Sequence, residues 1–193
     1  MEVNVSLVPL IAVLAYIPLL LATIHSKPWN SRKTLFLLFL LSAFFWSLSN
    51  FVFRADFIDN HSNTAFKVVI SLYVTMAILF HHFCSTYYPS GTRKWLPFAY
   101  ISLVLLIAFV FLGEVTNITA TDGIMHGSYT LQVIPLAIVL SILAARNYYI
   151  FINLLRDNKK PENHNQYLML IIGLSGLLAV SYTHLTLPTK RIV

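Results

Sequence analysis

Apolar positions along the chain gather into six long blocks, at residues 3–24, 34–53, 66–87, 96–113, 129–155 and 166–180, separated by short polar connections. A helix rises about 1.5 Å per residue, so about 20 apolar residues cross a hydrocarbon core about 30 Å thick. The first five blocks meet that length. The sixth, at 15 residues, reaches only about 22 Å on the same rise. The expected fold is all-α: a polytopic membrane helix bundle of five complete transmembrane helices and a truncated sixth. Pro9, Pro18 and Pro135 fall inside predicted helices, where neighbouring helices must satisfy the carbonyls they free.

Composition sharpens that reading. A hydrophobic share of 58% with 10% charged residues points away from a water-soluble domain. No stripe of Lys and Arg interleaves with exposed aromatics, so nucleic acid is excluded as a partner. Cys84 is the single cysteine and can form no internal disulfide.

Charge is distributed unevenly among the connections. The first holds Lys27, Arg32 and Lys33, the third Arg93 and Lys94, and the fifth Arg156, Lys159 and Lys160. The second and its margin hold Arg54 and Lys67, and the fourth holds neither Lys nor Arg. Basic residues mark short cytoplasmic loops. The expected placement is therefore a multi-pass protein of the plasma membrane, N-terminus outside, with loops one, three and five cytoplasmic. From an external N-terminus seven helices, not six, end in the cytoplasm. The fourth connection, from Glu114 to about Ser128, reads as a solvated external loop or a lid over an outward-facing pocket.

The chain's last residues have a different origin on this reading. Val180-Ser181-Tyr182-Thr183-His184-Leu185-Thr186-Leu187-Pro188-Thr189 can be encoded by GTC TCT TAT ACA CAT CTG ACG CTG CCG ACG. That string resembles the reverse complement of a transposase adapter used in shotgun sequencing libraries. Residues 1–180 are then an incomplete transmembrane sensory module, and 181–193 a non-native tail to be left out of fold reasoning.

All seven acidic residues, Glu2, Asp56, Asp59, Glu114, Asp122, Asp157 and Glu162, lie outside the apolar blocks or at their margins. Pumps, proton-coupled transporters and intramembrane aspartyl proteases use carboxylates buried in their spans, so these classes lose ground. His81 and His82 are adjacent, and adjacent helical residues point about 100° apart. They cannot act as a ligand pair spaced by one turn, and no metal site is expected. Nor is any cofactor.

A polar stripe remains. Ser42, Trp46, Asn50 and Arg54 recur every four residues and drift only about 40° per step. An asparagine is costly to turn towards lipid, so this face should look into the bundle. Ser71, Thr75 and His82 share one side of the third helix. Trp46, Asn50, Arg54, Ser71 and Thr75 are the candidate ligand-binding residues, with Arg54 drawing in an anionic group. The same pattern also arises from hydrogen bonds between helices, with Arg54 reaching for the interface.

Three segments resemble a known family. The run Phe45-Trp46-Ser47-Leu48-Ser49-Asn50-Phe51-Val52-Phe53-Arg54-Ala55-Asp56 is similar to the second helix of the seven-helix N-terminal region of bacterial and archaeal sensor histidine kinases. Phe80-His81-His82-Phe83-Cys84-Ser85-Thr86-Tyr87-Tyr88 resembles the end of its third helix, and Gly127-Ser128-Tyr129 the entry to its fifth. The likeness covers about residues 30–175 and lies in spacing and aromatics, with no catalytic signature.

The resemblance implies a membrane-embedded input region that senses a small extracytoplasmic or membrane-derived ligand in the lipid bilayer. A cytoplasmic PAS, histidine-kinase or diguanylate-cyclase domain would follow the seventh helix, with homodimerisation through that output domain. No catalytic residue is carried over, and these 193 residues are expected not to be an enzyme by themselves. The rival expectation is a fragment of a small-solute transporter or channel. One outcome is already open to measurement: genomic DNA read through this locus should depart from the chain's sequence after about codon 180. Uninterrupted genomic sequence encoding residues 181–193 would show the tail to be native.

Overall fold

A computed structural model describes residues 7–54, 62–88, 94–113, 116–121, 124–129, 133–157 and 161–186, with side chains for 7–52, 64–88, 94–113, 134–157 and most of 164–178. Six helices carry the fold among the described residues. They are α1 (Leu7–His25), α2 (Ser31–Arg54), α3 (Ser62–Ser85), α4 (Leu96–Leu112), α5 (Val133–Asp157) and α6 (Pro161–Thr186). Between α4 and α5 runs an antiparallel hairpin of β1 (Thr116–Thr121) and β2 (Ile124–Tyr129).

Among the described residues four helices are long and apolar enough to cross a membrane, over Leu7–His25, Ser31–Val52, Thr64–Ser85 and Ile134–Asp157. The sequence pattern anticipated five of full length. The difference is α4, whose 17 residues span about 26 Å at the usual rise. It is bounded by Pro97 in its first turn and by Gly113, whose extended backbone leaves the helix while its N–H still donates to the Phe109 carbonyl. α6 differs in the other direction and continues past residue 180 to Thr186. A helix already formed is extended cheaply by residues lacking Pro and Gly, and residues 181–186 contain neither. Its helicity therefore says nothing of the tail's origin.

The connection read as a solvated loop or lid holds the hairpin. Thr121 pairs with Ile124 at the closed end of the hairpin. Tyr129 closes β2, and the fifth helix begins at Val133 rather than at the start of its apolar block.

The chain forms two compact units, Met1–Val115 and Thr116–Val193. In the first, α2 packs most extensively on α3, while α1 packs on α2 and α4 on α3. α3 is the central helix, with 56% of its apolar window buried against 11% for α1. Phe36 meets Phe83 at 5.3 Å between ring centroids, Phe39 meets Phe80 at 5.1 Å, and Trp46 meets Tyr73 at 5.6 Å. Each step forward along α2 matches an equal step back along α3, so the helices run antiparallel in a single register. The seam residues are 36, 39, 43, 46 and 50 on α2 and 69, 73, 76, 80 and 83 on α3. That alternation of three and four is the spacing of coiled-coil packing. Ala43, fully buried, lets the backbones approach among the aromatic rings.

The ends of these helices are tied by cations. Asn30 Oδ1 accepts the Lys33 N–H at 2.9 Å and caps the start of α2. Lys33 Nζ donates back to the Ile24 carbonyl at 3.4 Å and to that of Ser26, and lies 4.2 Å from the Trp29 ring centroid. Arg32 donates to the Thr86 carbonyl at 3.2 Å and lies over the Tyr87 ring at 4.7 Å. At the opposite end, Lys67 Nζ donates to the Phe111 carbonyl at the close of α4, 3.1 Å away.

In the second unit α5 packs on α6. Phe151 stacks on Tyr167 at 6.4 Å, and Leu174 is buried. Both units expose large apolar side chains, among them Leu14, Ile101, Val104, Leu105, Leu112 and Met169. Such faces are compatible with lipid as the surrounding medium.

Substituting Ala43→Leu should therefore overfill the α2–α3 seam and lower stability by about 1–3 kcal/mol. Outward-facing Leu105→Ala should cost within about 0.5 kcal/mol. Thermal unfolding of both variants in detergent compares them directly.

Candidate functional site

Trp46 and Asn50 sit where the sequence pattern puts them, on the bundle-facing side of α2. Both are buried, at 9% and 8% exposure. Asn50 Nδ2 donates to the Trp46 carbonyl one turn back, at 2.9 Å, so part of the amide's need is met on its own helix. The Trp46 indole tilts by 41° against the Tyr73 ring. Ser42 Oγ likewise donates to the Leu38 carbonyl at 2.9 Å. Arg54 is the last residue of α2; its side chain lies outside the described residues.

Ser71 and Thr75 sit elsewhere. Relative to Tyr73, which faces α2, each lies two residues away and so about 160° round α3. Lys67 and His82, on that same side, reach α4: Lys67 through the Phe111 carbonyl, and His82 through a 2.7 Å hydrogen bond between its Nδ1 and the Tyr100 hydroxyl. The two rings meet edge to face at 5.6 Å and 89°. The four candidates whose side chains are described therefore occupy two stripes. Trp46 and Asn50 lie in the α2–α3 seam, whereas Ser71 and Thr75 line the side of α3 that meets α4. A helical wheel shows which residues share a face, but not which neighbour that face meets.

The two hydroxyls also use local partners. Ser71 Oγ donates to the Lys67 carbonyl and Thr75 Oγ1 to the Ser71 carbonyl, each at 2.8 Å. Hydrogen bonding back onto the same helix is a common solution for Ser and Thr in apolar surroundings.

His81 and His82 diverge as their spacing requires. His81 is 1% exposed, and its ring meets that of Tyr88 at 6.2 Å. His82 turns to Tyr100. Cys84 is fully buried. Among the described residues no three His, Cys, Asp or Glu side chains come together as a metal would require.

Two polar features went unread in the sequence. One is the set of cation contacts at the helix ends. The other lies on α5 and α6, where Asn147 is 2% exposed and the Tyr148 hydroxyl pairs with Ser175 Oγ. Ser175 also donates to the Ile171 carbonyl at 2.8 Å. The signal was present as Arg146-Asn147-Tyr148 inside an apolar block, since polar residues at such depth are expensive unless satisfied.

No protein-family model, curated protein or solved structure matches the chain.

Because their hydroxyls serve only the backbone of α3 in these bonds, Ser71→Ala with Thr75→Ala should leave thermal stability nearly unchanged. His82→Phe removes a bond between two helices and should cost about 1 kcal/mol. Equal losses in unfolding experiments on the two variants would contradict this division of the face.

Proposed function

We propose that the chain is the membrane-embedded input region of a signalling protein of the sensor histidine kinase type. In its complete form it would be joined to a cytoplasmic output domain. The observation that carries this reading is the absence of carboxylates from the apolar blocks, which leaves ion-coupled transport without its usual relay groups. The three segments similar to such input regions point the same way.

The orientation proposed is N-terminus outside, with the α1–α2 and α3–α4 connections in the cytoplasm. Up to residue 115 those two connections carry Lys27, Arg32, Lys33, Arg93 and Lys94 and no acidic residue, whereas Glu2, Asp56, Asp59 and Glu114 all belong to the other end. A cue works only if it binds two helix packings with different affinity. The α2 stripe of Trp46 and Asn50, leading to Arg54, is the part of the candidate site best placed for such a cue, since it lies in the seam between two helices.

The second reading, a small-solute transporter or channel, draws support from polar pairs inside the apolar helices, His82 with Tyr100 and Tyr148 with Ser175.

Two measurements separate these. With Cys84→Ser as background, a cysteine at Gly91 should label only after cells are permeabilised, and one at Thr121 in intact cells; the reverse overturns the orientation. The reading frame recovered from genomic DNA should continue into a kinase or cyclase domain, and in that protein Asn50→Ala or Arg54→Ala should abolish the response while insertion persists. Further spans bearing buried acids, or solute flux in proteoliposomes, would favour transport instead.

A further inference from the structure

We propose that the end of the first unit formed by the α1–α2 turn and the turn that follows α3 holds the phosphate of an anionic lipid headgroup. The inference rests on the membrane placement proposed above but not on any signalling role.

Charge at this end is unbalanced in a specific way. Lys27, Arg32 and Lys33 fall within seven residues, and no Asp or Glu occurs between residues 3 and 55 or between 60 and 113. Arg32 and Lys33 also stand in the first turn of α2, which contains no acidic residue. A helix N-terminus already carries about half a positive charge, so cations there are unfavourable towards their own helix. The C-terminal carbonyls of α1 and of α3 offset part of this. An anion in front of the turn would offset the rest.

The geometry is also built for holding one. Arg32 is fixed by the Thr86 carbonyl and the Tyr87 ring, and Lys33 by two carbonyls and the Trp29 ring. Their charges are thus positioned before a ligand arrives, which lowers the ordering cost of binding. The guanidinium has five N–H donors, of which this contact to Thr86 takes one. Trp29 is 55% exposed, with its indole N–H turned to Thr34 Oγ1 at 3.1 Å. An exposed indole at the end of an apolar helix sits well at headgroup depth. A fixed cation pair, an interfacial indole and a helix N-terminus together match a phosphodiester attached to acyl chains better than a free anion.

The test uses the full chain purified in detergent, with lipids retained on it counted by native mass spectrometry. Phosphatidylglycerol should be retained about tenfold over phosphatidylcholine, and Arg32→Gln with Lys33→Gln should erase at least that preference, since each interfacial cation contributes roughly a fivefold factor. Lys67→Gln, at the opposite end, should leave it intact. Should the double variant unfold, the wild-type comparison still decides: equal retention of the two lipids overturns the proposal. Displacement by millimolar inorganic phosphate as readily as by added phosphatidylglycerol would make this a phosphate site and overturn the lipid assignment. A chain soluble without detergent would instead overturn the membrane reading itself.

Discussion

An α-helix ends with carbonyls that no turn of its own can reach, and in a medium without water each one is costly to leave open. Helix order in the first unit is tied to how that need is met. Lys33 answers α1, Arg32 answers α3 and Lys67 answers α4, each from the opening turns of an adjacent helix. Antiparallel packing makes this economy available, because it sets the start of one helix beside the finish of the next. A cation that is poorly placed for its own helix dipole is well placed for its neighbour's. Loop charge and helix packing here share the same side chains.

Between those ends, the aromatic seam of α2 and α3 defines the unit. Six rings interleave in one register over three levels, and Ala43 lets the helices approach where a larger side chain would hold them apart. The polar residues in this region are placed so as not to compete with the seam. Ser71 and Thr75 fold back onto their own backbone, and His82 finds Tyr100 on α4. Among the candidates with described side chains, Asn50 is the polar aliphatic residue in the seam, partly satisfied by the Trp46 carbonyl.

Much of the helical layout was legible because lipid-length apolar blocks are a strong signal, and α1, α2, α3 and α5 follow from them. Block edges were less so. Apolarity does not stop at a helix boundary, so the apolar block of α5 takes in Tyr129 although that residue pairs in a strand. The candidate site was half legible. The period of four residues put Trp46 and Asn50 on one buried face correctly, but Ser71 and Thr75 could be joined to them only by assuming which side of α3 meets α2. That assignment depends on the aromatic register between distant segments, which no local spacing encodes. The cation contacts were hidden for a related reason, since Arg32 and Thr86 are far apart in sequence.

The shared register of α2 and α3 limits how the unit can move. Interlocked rings resist gradual sliding, so relative translation of these two helices must pass through a jump of about one turn, near 5.4 Å. Smaller rearrangements fall to the partners on either side. α1, with little of its surface covered, and α4, short and packed less extensively on α3 than α2 is, are the pieces better placed to tilt against a stiff central pair.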